Sequence, residues 1–284
     1  MKIKFLFLNL IFFSSIFSIT QVGHFSMQGR RPAMEDAHQI LNPFNNSKNA
    51  FFAIYDGHGC AGRSSKGAKT GGNSVSNYCA QNLHKYIDPK SNPEQALNDA
   101  FKQVDKDLLI AHDCKTVGSC AIVSYFVNDE LYIANLGDSK AIICNQGQAV
   151  ELSQDHKPSR SDERERIEKA GGFVAYNGCS RVNGFLAISR AFGDAFLKAY
   201  GVSAIPEIKQ YKITEQDQFL ILACDGIFEV MNPQEAVDVV NYFLNENYSL
   251  KNKAELAAKY LAQTAYSKGS GDNLSVIVVL LNNF

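Results

Sequence analysis

No strong charge of either sign marks this chain, and that absence removes several kinds of protein at once. The formal net charge is −1, so no overall field draws the chain to nucleic acid or to an anionic membrane, and any recognition of phosphate must be local. CxxC pairs are missing as well. The seven cysteines (Cys60, Cys79, Cys114, Cys120, Cys144, Cys179 and Cys224) stand at spacings that suit neither a zinc site nor a small disulfide framework. An odd count leaves at least one thiol free. Internal repeats are absent, and no long linker divides residues 22–284. What is present is the composition of an ordinary globular enzyme, 45% hydrophobic and 20% charged over 284 residues, enough for one large core or two small ones.

The first twenty residues differ in kind. Lys2 and Lys4 precede an apolar and hydroxyl-bearing run from Phe5 to Ile19. A short basic start, an apolar stretch of about 15 residues and small residues at its end read as a secretory signal peptide. Ser18 and Thr20 then flank a cleavage point before Gln21. The run is shorter than the ~20 residues of a spanning helix; an uncleaved membrane anchor is the second reading, and a buried first strand or helix of a cytoplasmic protein the third. Only Asn9 and three serines break the apolar run and no charge gives it a solvent face, which favours targeting. Asn45-Asn46-Ser47 and Asn247-Tyr248-Ser249 are glycosylation triplets if the chain is secreted.

Helices follow from spacing. Val75, Cys79, Leu83 and Tyr86 share one face, as do Leu97, Ala100, Phe101, Val104 and Leu108 behind a first-turn proline, Pro93. Residues 161–170 read as a charged surface helix with i,i+4 pairs Asp162–Arg166 and Glu165–Lys169, stopped by Gly171-Gly172. Two further helices follow Pro233 and Lys253. Hairpins are predicted across Asn128-Asp129-Glu130 and Asn145-Gln146-Gly147. Phe51–Tyr55, Phe219–Cys224 and Leu274–Leu281 are nearly continuous apolar runs and read as central strands. The hairpins exclude an all-parallel sheet, so the fold class is α+β, with antiparallel sheets and helices packed outside them.

The positions of the aspartates carry the chemistry. Phe51–Tyr55 ends in Asp56-Gly57-His58-Gly59, Leu131–Leu136 in Gly137-Asp138-Ser139, and Phe219–Cys224 in Asp225-Gly226; Asp272-Asn273 immediately precedes Leu274. A single aspartate after a strand is ordinary turn chemistry. Four such termini, if they meet, would crowd carboxylates that repel one another unless cations neutralise them. Carboxylate oxygens without histidine or thiolate partners suit hard ions such as Mg²⁺ or Mn²⁺. Glycine directly behind two of the aspartates lets the backbone come close enough for its carbonyl to reach a metal.

Together with Arg31-Pro32-Ala33-Met34-Glu35-Asp36-Ala37-His38, Thr116-Val117-Gly118-Ser119-Cys120-Ala121, Asp155-His156-Lys157-Pro158, Arg181-Val182-Asn183-Gly184 and Ser189-Arg190-Ala191-Phe192-Gly193-Asp194, these segments resemble, in order and over about residues 22–281, the motifs of the metal-dependent protein phosphatase family, type 2C. The resemblance implies a sandwich of two antiparallel β-sheets flanked by α-helices, occupying residues 22–284 after the segment 1–20. It implies two divalent metals, Mg²⁺ or Mn²⁺, with Asp56 bridging them, the Gly57 carbonyl helping to hold one, and Asp225 and Asp272 completing the other. Asp138 with Asp225 matches the place of a weaker third ion. Glu35, Asp36 and Asn273 would stand behind the ligands and orient metal-bound waters. Arg31 matches the phosphate-binding arginine, and His58 is the candidate general acid for the departing serine or threonine oxygen. The implied substrates are phosphorylated proteins, the implied state a monomer.

Several departures are visible. Cys60 stands where relatives have glycine or alanine, placing a thiol beside the site or simply a small packing group. Ala61–Gly72 reads as an insertion, a flexible loop whose Arg63, Lys66 and Lys69 could guide acidic or phosphorylated substrates or merely be solvated. Its Gly62, Gly67, Lys69 and Thr70 have one residue too many for a nucleotide-binding loop. The stretch from Asp194 to Pro206 is short for the flap that borders the active site in relatives, which leaves selectivity open. Two other functions stay in view, a catalytically dead binding scaffold and a hydrolase of nucleotides or small phosphate esters.

Overall fold

A computed structural model describes residues 18–45, 48–59, 71–111, 113–127, 129–246 and 251–281. Two five-stranded sheets dominate it. The first runs β1 (Ile19–Met27), β15 (Leu274–Leu281), β14 (Asp217–Ala223), β8 (Lys140–Asn145), β9 (Gln148–Glu151). The second runs β13 (Glu207–Lys212), β7 (Glu130–Leu136), β6 (Ala121–Val127), β3 (Asn49–Tyr55), β2 (Ala37–Phe44). Every pairing in both is antiparallel. A small sheet of β12 (Phe192–Gly193), β5 (Val117–Ser119) and β4 (Gly57–Gly59) caps one end, and β10 (Val174–Asn177) pairs with β11 (Cys179–Val182) beside it.

Alternation along the strands explains the layers. Phe52 and Ile54 of β3 meet Leu220 and Leu222 of β14 and Ile277 and Val279 of β15 in the core between the sheets. Their neighbours Phe51, Ala53 and Tyr55 point the other way, under α1 (Gly72–Asn82) and α2 (Pro93–Ala111). Phe219, Ile221, Val276 and Val278 likewise pack under α6 (Pro233–Glu246) and α7 (Lys253–Ser267). With both faces of a strand buried, both sets of side chains must be apolar, and continuous runs replace alternation. The four layers, the hairpins and the helices behind Pro93, Pro233 and Lys253 stand as expected.

The segment 161–170 needs correcting. It forms α3 (Ser161–Lys169), and Glu165 does reach Lys169 at 2.7 Å. Asp162, however, is held by Arg160 (2.8 Å), which precedes the helix with extended backbone. Arg166 turns to Glu163, which is fully buried. Glu163 accepts from Arg166 (2.5 and 2.7 Å), from Arg190 (2.7 and 3.0 Å) and from the Ser189 hydroxyl. Two guanidinium groups outweigh the burial that would raise its carboxyl, so its pKa lies well below the usual range. The helix therefore has a buried ionic face, and that face ties α3 to the segment leading into β12. The remaining short helices are α4 (Ala195–Lys198), α5 (Asp225–Phe228) and a 3₁₀ turn, Leu83–Tyr86, into which α1 tightens, leaving Tyr86 exposed rather than on the buried face with Val75, Cys79 and Leu83.

The six described cysteines are all free. Among the described residues no helix is long and apolar enough to cross a membrane. Residues 1–17, most of the apolar run, lie outside the described residues, as do Cys60, Arg63, Lys66, Lys69 and the triplet at 247–249.

Candidate active site

Four strand ends point into one cavity of about 410 Å³. Asp56 follows β3, Asp138 follows β7, Asp225 opens α5 after β14, and Asp272 precedes β15; all four line it, with Gly57, Arg31 and His58. Burial, then the charges of Asp225, Asp36 and Asp138, push Asp56 well above the ordinary carboxyl range. Burial, with Asp138 and Asp272, lifts Asp225 to about 8. The carboxylates are thus close enough that the bare protein favours keeping protons on them, the condition a divalent cation relieves. Glu229 joins in. It follows α5 four residues after Asp225, and ligand atoms of Asp225, Glu229 and Asp272 lie within 4.8 Å of one another. The sequence reading missed it, although i,i+4 spacing from a predicted ligand was the available signal.

The residues expected behind the ligands do different work. Asp36 is buried, neither carboxylate oxygen has a well-directed hydrogen bond, and burial raises its pKa to about 6 against the influence of nearby Ser275 and Cys224. Asn273 is a clasp: its amide donates to the carbonyls of Gln28 (2.8 Å) and Ala33 (2.9 Å) and accepts from Glu35 N–H (2.8 Å). Glu35 Oε1 accepts from Gly72 N–H (2.7 Å) at the start of α1. Together they fix the loop carrying Arg31, whose guanidinium is 2.5 Å from Asp272. The glycine behind Asp225 has a steric reason. A Cβ on Gly226 would sit 2.2 Å from the Asn273 carbonyl, so only glycine lets the segments carrying Asp225 and Asp272 touch.

His58 meets a partner the sequence reading did not assign. Its Nε2 is 2.7 Å from Asp194 Oδ2. Asp194 sits in the left-handed region (φ 48°), its N–H donating to Val117 C=O at 2.9 Å. Burial lowers the histidine pKa, but the Asp194 charge and hydrogen bond, with Asp138 and Glu35 farther off, outweigh it and leave the pKa raised. Asp138 is likewise anchored, by Lys157 and by the Cys120 thiol at 3.3 Å. His156 fixes the turn before it. Burial and then Arg190 bring its pKa down to about 4, so the ring is neutral; Nδ1 accepts from Gly137 N–H (3.0 Å), which leaves Nε2 to donate to Glu207 (3.3 Å).

The wall facing the carboxylates comes from Arg181, Phe185, Leu186 and Ile188, with Phe196 of α4. The border of the cavity therefore lies mainly upstream of the Asp194–Pro206 stretch that drew attention in the sequence.

This fold, with acidic strand ends gathered beside a pinned histidine and an arginine, defines a class. The Protein phosphatase 2C family matches residues 20–274. Probable protein phosphatase 2C 45 of Oryza sativa subsp. japonica is 41% identical over 263 residues, which cover 90% of this chain and 86% of that protein. Probable protein phosphatase 2C 52 of the same organism is 40% identical over 260 residues, 90% of this chain but 50% of its own, so this chain spans about half the length of that relative. A phosphatase from a pathogenic strain of Toxoplasma gondii superposes with a TM-score of 0.78 at 26% identity, covering 93% of each chain. The chain belongs to the protein phosphatase 2C family.

Proposed function

We propose that the chain is a metal-dependent protein serine/threonine phosphatase that hydrolyses phosphoserine and phosphothreonine in proteins. The observation that carries this reading is the convergence of Asp56, Asp138, Asp225 and Asp272 on one cavity, with raised Asp56 and Asp225 pKa values. Asp56, the Gly57 carbonyl, Asp225 and Asp272 would hold two Mg²⁺ or Mn²⁺ ions, and Asp138 with Asp225 a weaker third; Glu229 is within reach of the same space. All are hard oxygen donors, as those ions require. When bound, the ions supply a water acidic enough to react near neutral pH and offset the phosphoryl charge.

The chain's own residues do the rest. Arg31 presents a planar fork of donors to the phosphoryl oxygens from a loop that Asn273 and Glu35 hold in place. His58, kept protonated and oriented by Asp194, gives its proton to the serine or threonine oxygen as the P–O bond breaks. Asp36, whose oxygens have no well-directed protein donor, would accept hydrogen bonds from water among the ligands.

Hydrolysis of phosphothreonine peptides in Mn²⁺, with and without excess EDTA, tests this. Turnover that persists in EDTA rules out the metal mechanism, no turnover in any divalent metal favours a binding scaffold, and faster turnover of nucleotides than of peptides moves the substrate class to small esters.

The apolar N-terminal run we read as a targeting segment, for the secretory pathway or as a membrane anchor. β1 begins at Ile19, which pairs with Leu281, so cleavage before Gln21 would trim the first two residues of that strand. Sequencing the mature N-terminus decides it; an intact Met1 on a protein in the soluble cytoplasmic fraction removes the targeting role.

A further inference from the structure

The cavity has two unlike sides. One carries the carboxylates, Arg31 and His58; the other is apolar except for Arg181. Ile188 and Leu197 on that side are buried in a small core beneath it. Phe185 and Phe196 lie above, rings edge to face with centroids 5.6 Å apart. Phe185 is 58% exposed, and a phenyl ring left in water contributes little to folding.

Its backbone is nevertheless tightly held. Asn183 and Gly184 both have positive φ (49° and 77°), closing a turn in which Phe185 N–H donates to Val182 C=O at 2.9 Å. Arg181 Nη1 donates to the Phe185 carbonyl at 2.8 Å, and Leu186 bridges back to Val182. The ring is thus presented at the rim on a fixed frame, where it could bind a partner without first paying to order the loop. From Arg181 to Ile188 the sequence holds one cation and no carboxylate.

Resting on the phosphatase reading above, we propose that Phe185, backed by Phe196, selects phosphopeptides carrying a large apolar side chain beside the phosphorylated residue. Leucine, isoleucine, methionine or phenylalanine there would cover the exposed ring and remove apolar surface of both partners from water. Among the described residues of this wall, a flanking lysine or arginine would find no carboxylate, and a flanking acid only Arg181, whose Nη1 is already committed to Phe185.

The test compares two phosphothreonine peptides differing only in the flanking residues, leucine in one and glycine in the other, with the full chain in Mn²⁺. The leucine peptide is expected to have a kcat/KM about 5- to 30-fold higher, the range one partly covered side chain gives, carried mainly in KM. Phe185→Ala should collapse that ratio to about 2 while leaving the glycine peptide nearly unchanged, and Phe185→Leu should restore most of the ratio. No preference in the unmodified chain, a preference for charged flanks, or equal loss on both peptides in Phe185→Ala overturns the proposal while leaving the phosphatase reading intact. Failure to hydrolyse either peptide in Mg²⁺ or Mn²⁺ overturns that reading and this inference with it.

Discussion

His58 and Asp194 are 136 positions apart in the chain, yet Nε2 of one lies 2.7 Å from Oδ2 of the other, and they meet over Gly118. A Cβ at that position would fall 2.2 Å from the carboxylate oxygen and 2.7 Å from the ring nitrogen. Gly118→Ala, which also crowds the Phe192 carbonyl (2.6 Å), should therefore break the pair without touching Asp56, Asp138, Asp225 or Asp272. We expect phosphothreonine turnover to fall about 10²- to 10⁴-fold, the scale of a lost acid catalyst, with Mn²⁺ affinity by calorimetry nearly unchanged. A parallel loss of metal binding would show that the damage is general.

Asp194→Asn removes the charge but keeps the shape. Asp194 raises the His58 pKa, so its loss lowers it, and the protonated form gives way at lower pH. The alkaline limb of the kcat profile for phosphothreonine peptides should shift toward acid. p-Nitrophenyl phosphate, whose leaving group needs little protonation, should respond far less. An unmoved limb for the peptide would remove Asp194 from this role.

Asp225 has a folded pKa of about 8, far above that of an unfolded aspartate. In that pH interval the folded chain binds more protons than the unfolded one, so metal-free protein should lose stability as pH rises from 4 toward 8. Asp225→Asn relieves the crowding. In EDTA its melting temperature at pH 8 should exceed that of the unmodified chain by several degrees, while the stabilisation given by Mn²⁺ disappears. Scanning calorimetry reads both, and a lower melting temperature in EDTA would contradict the crowding argument.

Glu163 works in the opposite direction. Its folded carboxyl is held below the unfolded value, so its contribution is present above that value and fades as pH falls through the folded pKa. Glu163→Gln leaves Arg166 and Arg190 short of a charge partner and should cost about 3 kcal/mol at pH 7. Between pH 6 and pH 3.5 the variant should also lose less stability than the unmodified chain. Urea denaturation at the two pH values measures both effects, and equal slopes would mean that the carboxylate is not the titrating group.

Much of the centre was legible because its signal is local. An apolar run followed by Asp-Gly or Gly-Asp announces a buried strand and a carboxylate at its end, and Asp56, Asp138 and Asp225 all follow that rule. Asp194 carries the same Gly-Asp ending, but β12 before it has only two residues, so no apolar run drew attention to it. Glu163 was hidden for a different reason. Its partner Arg190 lies 27 positions away, and helical spacing alone assigned the charged face of α3 to solvent. Side chains whose role depends on a distant partner leave little trace in periodicity; those placed by their own strand leave a clear one.

The placement of β15 between β1 and β14 has a consequence for biosynthesis. Ser26 and Ser275, 249 positions apart, are hydrogen-bonded neighbours, and the Asn273 clasp beside them secures the arginine loop near the beginning of the chain. A nascent polypeptide still lacking Asn273–Leu281 has neither the strand that joins β1 to β14 nor that clasp. The ribosome must deliver this segment before that sheet and the arginine loop can be completed.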